Sequence, residues 1–194
     1  MTVCLFSICV VCSGLLAGVY ALTKAPIDAA AKAKNEAAIK EVLPDSAVTV
    51  EEERTVDMDG ATYTYNLAYD QAGEVVGCAI NVAPVGFGGP ILIKVGFDKN
   101  GVIWNTKVLS QSETPGLGAK CTEAGFASQF CGFNPAEKKL AVKNDGGDID
   151  AITASTITSR AYTGGVETAV RVLNAIAGTP MLLDSSTGAS SDWY

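Results

Sequence analysis

The stretch Ala61-Thr62-Tyr63-Thr64-Tyr65-Asn66-Leu67-Ala68-Tyr69 places Ala61, Tyr63, Tyr65, Leu67 and Tyr69 at every second position. A two-residue apolar period is that of a strand with one buried face. Gly73 ends this arm, and Val76, Cys78, Ile80 and Val82 repeat the alternation. Ile91, Ile93, Val95 and Phe97 do so again, after which Asp98-Lys99-Asn100-Gly101 reads as a turn into residues 102–109. Four consecutive strands joined by short turns predict an antiparallel sheet.

Downstream, residues 110–120 hold Pro115, Gly116 and Gly118 and read as a loop. A short helix is expected over 123–130, a strand over 139–143, and a turn at Asn144-Asp145-Gly146-Gly147. A last helix begins around Thr158, carries Val166, Ala169, Val170, Leu173 and Ile176 at helical spacing, and stops at Gly178 before Pro180. Its apolar stripe should cap the sheet. Residues 181–194 form a tail, serine- and glycine-rich from Asp184 and expected to be flexible, and no internal repeat is present.

Upstream, residues 1–23 carry no charge, the first charged side chain being Lys24. At 1.5 Å per residue, about 20 such residues cover the roughly 30 Å hydrocarbon layer. Val19-Tyr20-Ala21 resembles a cleavage site, but the run lacks the basic front of a signal peptide. An uncleaved single anchor is therefore the expectation. Lys24, Lys32, Lys34 and Lys40 follow it, which by the positive-inside rule places that flank in the cytoplasm. Pro26 sits where a helix can start, and the alanine-rich run to Pro44 reads as a stalk helix over 24–44. Glu51-Glu52-Glu53 reads as a solvated face. The main domain is expected over 45–180.

The 194 residues leave room for one ordinary domain plus an appendage. Hydrophobic residues are 48% and charged residues 18% of the chain, which is enough apolar material for a core. A net charge of −7 disfavours a nucleic-acid partner. The absence of histidine removes serine-histidine-aspartate hydrolysis and histidine-metal sites. Cys4, Cys9, Cys12, Cys78, Cys121 and Cys131 lack the paired spacing of a structural zinc site or disulfide framework. Cys9 and Cys12 lie one helical turn apart; they read as packing residues of a membrane helix, the alternative being a metal or cluster shared with another chain.

The segment that carries chemistry runs from Asp150 to Arg160, with Thr153, Ser155, Thr156, Thr158 and Ser159 supplying hydroxyls. Hydroxyls and free amides at a helix start make an anion site, to which Arg160 can add a cation. The competing reading is that Ser155, Thr156 or Thr158 merely caps the helix.

Here the residues resemble a family. Asp150 to Thr158 is similar to the flavinylation motif found in two related membrane complexes: in the G subunit of the Rnf-type ferredoxin:NAD oxidoreductase, and in the C subunit of the sodium-translocating NADH:quinone reductase. Asp150, Thr153, the small pair Ala154-Ser155 and then Thr156 match it in turn, with Thr158 two residues later. Ser112-Glu113-Thr114-Pro115-Gly116-Leu117-Gly118-Ala119-Lys120 resembles a second family loop, and Gly86-Phe87-Gly88-Gly89-Pro90-Ile91 a third. The Rnf G subunit is the closer fit.

The resemblance implies an α+β fold: an N-terminal single transmembrane helix followed by an FMN-binding domain with a mainly antiparallel sheet packed by helices. It implies a membrane-anchored electron carrier, a subunit of an ion-translocating oxidoreductase, with FMN esterified through its phosphate to Thr156. Thr153, Ser155, Ile157 and Thr158 would surround the attachment point. Glu113, Thr114, Gly116, Leu117 and Gly118 would border the ring, and Lys120 would stabilise its reduced form. No metal is implied. The implied partners are the other membrane subunits of the complex and a flavin transferase, and the family places this domain outside the cytoplasm. The family's small pair is usually glycine then alanine; Ala154-Ser155 departs from it, so Ser155 competes with Thr156 for the flavin. That departure motivates a second reading, a flavin-free structural subunit. A third is an exported binding domain with a cleaved leader.

Overall fold

A computed structural model describes residues 2–178; the tail expected over 181–194 lies outside the described residues. The chain divides into two compact units, one ending at Ala37 and one beginning at Ala38.

The first unit is formed by α1 (Thr2–Val42) as far as Ala37, residues 38–42 of the helix belonging to the second, and the helix runs through Pro26 without a break. The spacing predicted a new helix starting at that proline. Pro26 has no N–H to give the carbonyl one turn earlier, but one missing bond in a long, alanine-rich ladder does not end it. Phe6, Ile8, Leu15, Leu16, Val19 and Leu22 are all exposed around this helix, an arrangement suited to lipid rather than water. Two of its hydroxyls are satisfied internally, Ser7 Oγ donating to the Val3 carbonyl at 3.0 Å and Thr23 Oγ1 to that of Val19 at 2.9 Å, which suits a hydrocarbon surrounding. Among the described residues this is the one helix long and apolar enough to cross a membrane. Cys9 and Cys12 are exposed on it, and among the described residues no group of three or more cysteines and acids is placed to hold a metal.

In the second unit six strands form one antiparallel sheet: β1 (Thr49–Val50), β2 (Arg54–Met58), β3 (Ala61–Tyr69), β4 (Val75–Val82), β5 (Leu92–Asp98) and β6 (Ile103–Ser110). Their order is β1-β3-β4-β5-β6, with β2 also paired to β3. The four longer strands are those the alternation predicts. β1 and β2 escape it because they are short and carry few apolar residues. Between β4 and β5 the chain makes a loop over residues 83–91 rather than a tight turn.

The inward face of the sheet, with Leu67, Ile80, Ile93, Val95 and Phe97, packs against α3 (Thr156–Ala177) through Tyr162, Val166, Ala169, Val172 and Ile176. Val170 and Leu173 of the expected stripe are only half-buried at its margin. Tyr162 meets Phe126 edge-to-face and Phe130 at a tilt, at ring separations of 5.2 and 5.0 Å, and donates its hydroxyl to Thr106 Oγ1 at 2.8 Å. The opposite face carries Ala68 and Ala79 under Ile39, Val42 and Leu43. Gly96 must be glycine there, since a Cβ would stand 1.8 Å from the Val42 carbonyl oxygen.

That same face holds Lys94, completely buried, with Nζ donating to Asn66 Oδ1 at 3.3 Å. Burial lowers its pKa to about 8, against the pull of the Glu53 charge. The acidic run is not simply a solvated face. Glu51 accepts from Arg54 and from the Tyr69 hydroxyl, and Glu53 from Asn81 Nδ2 at 2.9 Å.

The short helix expected over 123–130 is α2 (Ala124–Ala127) continued by a 3-10 turn, Ser128–Phe130. The strand expected over 139–143 is absent. Leu140 and Val142 are buried as the pattern suggests, but the Gly146-Gly147 turn folds the segment onto itself. Ile149 N–H then donates to the Ala141 carbonyl at 3.1 Å and Lys143 N–H to that of Ile149 at 2.7 Å, leaving a 3-10 turn, Lys143–Asp145.

Candidate functional site

α3 starts at Thr156, two residues before the expected position. The turn feeding it is pinned at both ends. Ser159 Oγ accepts from Ile152 N–H at 2.9 Å and donates to the Ser155 carbonyl at 2.9 Å, while Ser155 N–H donates to the Ile152 carbonyl at 3.0 Å. Ala154, between them, has φ of 61°, a left-handed conformation that favours glycine. Ser155 occupies the N-cap position, yet its side chain makes no capping hydrogen bond. The helix start therefore keeps its outward N–H groups and positive dipole end free of a side-chain acceptor.

Two glycine-containing loops face this start. In one, Thr114 accepts on its carbonyl from Leu117 N–H at 3.1 Å and Ala119 N–H at 3.2 Å. In the other, Gly86 N–H donates to the Gly89 carbonyl at 2.8 Å. Glu113 joins all three segments. It is 6% exposed; Oε1 accepts from Gly88 N–H at 3.0 Å and Oε2 from Thr158 Oγ1 at 2.7 Å. A Cβ at Gly86 would stand 2.2 Å from Oε1, and one at Gly118 2.3 Å from Oε2. Both glycines are needed for the carboxylate to lie where it does.

The three segments enclose a cavity of about 440 Å³ lined by Phe87, Glu113, Thr114, Leu117, Gly118 and the run from Ala154 to Thr158. The structure thus brings together eight of the residues singled out in the sequence: Glu113, Thr114, Leu117, Gly118, Ser155, Thr156, Ile157 and Thr158. Thr153, Gly116 and Lys120 do not line it; Thr153 and Gly116 are exposed and Lys120 is too. Arg160 does not reach it either; it pairs with Asp145 through two 2.7 Å contacts and lines a separate cavity of about 330 Å³. Asp150 is held outside, bonded to Lys143 at 2.8 Å.

Phe87 and Ala154 line the cavity although neither was singled out as a site residue. Phe87 had a signal, a large apolar side chain between two glycines. Among the described residues that line the cavity, Glu113 alone is charged. Its field reaches its surroundings. The Cys121 thiol is pushed up to about 11, first by burial and then by the Glu113 charge.

The hydroxyls are not equivalent. Ser159 and Thr158 are buried, each donating its hydroxyl to another acceptor, and Ser155 is 8% exposed. Thr153 is exposed but outside the wall, whereas Thr156 is both half-exposed and part of it. At one end the cavity offers a hydroxyl and free helix amides. Elsewhere its wall includes the exposed apolar side chains of Phe87, Leu117 and Ile157, beside the Glu113 carboxylate. That donor set fits a ligand with an anionic group and a planar apolar body, as FMN is.

Residues 86–171 match the family described as the FMN-binding domain, and residues 2–42 match the RnfG N-terminal region. The G subunit of the ion-translocating oxidoreductase complex of Methanosarcina acetivorans is 35% identical over 179 residues, covering 87% of this chain and 93% of that protein. The protein of the same name from Shewanella piezotolerans is 33% identical over 180 residues, covering 84% and 83%. The crystal structure of the C subunit of the Na(+)-translocating NADH-quinone reductase from Parabacteroides distasonis aligns with a TM-score of 0.45 at 19% identity, over 80% of this chain and 85% of that one. With an apolar N-terminal helix, an α+β domain and sequence matches of this length, the chain belongs to the family of G subunits of the ion-translocating (Rnf-type) oxidoreductase complexes.

Proposed function

We propose that this chain is a membrane-anchored electron-transfer subunit of an ion-translocating ferredoxin:NAD oxidoreductase, holding FMN by a phosphoester through Thr156. The observation that carries the attachment point is accessibility. Of the five hydroxyl residues over 153–159, Thr156 is the one that lines the cavity without being buried. The neighbouring amides at the start of α3 would receive the phosphate charge. Phe87, Leu117 and Ile157 would exclude water from the ring.

When bound, the isoalloxazine ring accepts and releases the electrons. No histidine or other side-chain proton shuttle is then required of the protein. A covalent tether prevents loss of the carrier between transfers. The esterification itself would be performed by a flavin transferase, and electrons would pass between neighbouring membrane subunits. Residues 1–23 would be the span, 24–44 the stalk, and 45–180 the flavin domain facing the extracytoplasmic side. Support for that side is the family resemblance, against the lysines that follow the span.

Denaturing electrophoresis of the membrane-extracted chain tests the reading. A fluorescent flavin band that stays with the polypeptide is expected. Its absence from a chain that still assembles with its complex favours the flavin-free structural subunit, the reading motivated by Ala154-Ser155.

A further inference from the structure

Glu113 does more than border the cavity. Its oxygens are held by donors from two different segments, Gly88 N–H at 3.0 Å and Thr158 Oγ1 at 2.7 Å. Gly86 and Gly118 clear the space it fills. No cation answers it within the wall: Arg160 is committed to Asp145, and Lys120 is exposed and lies outside the lining. The cavity therefore carries one fixed negative charge, held rigidly and largely out of water. Such a charge disfavours negative charge that develops beside it, away from the amides at the start of α3, the more so in a low-dielectric surrounding.

Resting on the reading that FMN occupies this cavity, we propose that Glu113 is a positioning and tuning residue. Its two oxygens lock the Gly88 loop to the first turn of α3, and its charge keeps the reduction potential of the bound flavin low. Adding electrons to the ring raises the negative charge beside the carboxylate, so the reduced form is the one destabilised. Removing the charge while keeping the shape should therefore raise the potential.

Glu113→Gln does this, since its Oε1 can accept from Gly88 N–H while its Nε2 donates to Thr158 Oγ1 once that hydroxyl turns. The test is a potentiometric titration of the full-length chain in detergent, after intact mass has established the flavin content of each protein. For flavin-loaded E113Q the expected result is a shift of at least tenfold toward the reduced form, about 30 mV upward for a two-electron couple. Thr158→Val keeps the charge and removes one donor to it, so its potential stays or falls. An unchanged or lower potential in loaded E113Q overturns the proposal. A rise in T158V equal to that of E113Q also overturns it, because the cause is then geometry rather than charge. An E113Q chain that takes up no flavin makes Glu113 a requirement of attachment and overturns the tuning role. A wild-type chain without flavin overturns the underlying reading instead.

Discussion

Thr158 donates its hydroxyl to the Glu113 carboxylate at 2.7 Å, joining residues 45 apart in sequence inside a buried contact. Through it the first turn of α3 is registered against the loop after β6, and through Gly88 against the loop before β5. Three separate segments thereby acquire one fixed arrangement. The bond also commits the Thr158 hydroxyl proton, whereas Thr156, half-exposed, lines the cavity.

Gly118→Ala should break this arrangement. Its Cβ would stand 2.3 Å from Glu113 Oε2 and 2.7 Å from Thr158 Oγ1, so the carboxylate must leave its partners. Overpacking of this kind costs about 1–3 kcal/mol. Thermal unfolding of the full chain in detergent should show the loss, with flavin content reduced in parallel. A variant with wild-type stability and full loading contradicts the account of the clamp.

Ala154→Gly should act in the opposite direction. Ala154 holds φ at 61°, which strains an alanine, and glycine relieves that strain at the expense of a more flexible unfolded chain. The net expectation is an unchanged or higher stability, by up to about 1 kcal/mol, with flavin loading retained. Destabilisation beyond about 1 kcal/mol on denaturant unfolding would show that the alanine methyl has a packing role.

Lys94 makes stability depend on pH. Burial lowers its folded pKa to about 8 from an ordinary 10.5, while Glu53 acts the other way. Between those values the unfolded chain binds more protons, so the contribution of Lys94 to stability rises with pH; below about 8 the penalty of the buried charge is complete. Cys78 and Cys121, whose thiols burial pushes up to about 12 and about 11, lose stability for the fold above pH 9 and mask the trend. Lys94→Met isolates it. The stability of K94M relative to wild type should fall by about 2 kcal/mol between pH 7 and pH 10, and a constant difference contradicts the assignment.

The apolar alternation of the four long strands was enough to read the sheet, because period-two burial is local and survives without knowledge of partners. α3 was legible for the same reason at helical period. The segment around Leu140 was not, because its buried residues alternate like a strand while its backbone partners lie on Asp148 and Ile149 across a glycine turn. The candidate site was legible as three motifs, and eight of the eleven site residues read from them line one cavity. What no local pattern revealed is which residues fall out of it: Lys120, Thr153 and Gly116 face solvent although their neighbours do not all do so. Nor does composition reveal that Arg160 is taken by Asp145, or that Glu113 is buried rather than exposed. Those are outcomes of long-range packing.

The most direct test of Thr156 is peptide mass mapping of the full-length chain purified from membranes, compared with Thr156→Ala and Ser155→Ala. The account predicts an FMN adduct, the mass of FMN less water, on Thr156 in the wild type and in S155A, and none in T156A. An adduct on Ser155 or Thr153, or a fully assembled wild-type chain with no adduct at all, would contradict it.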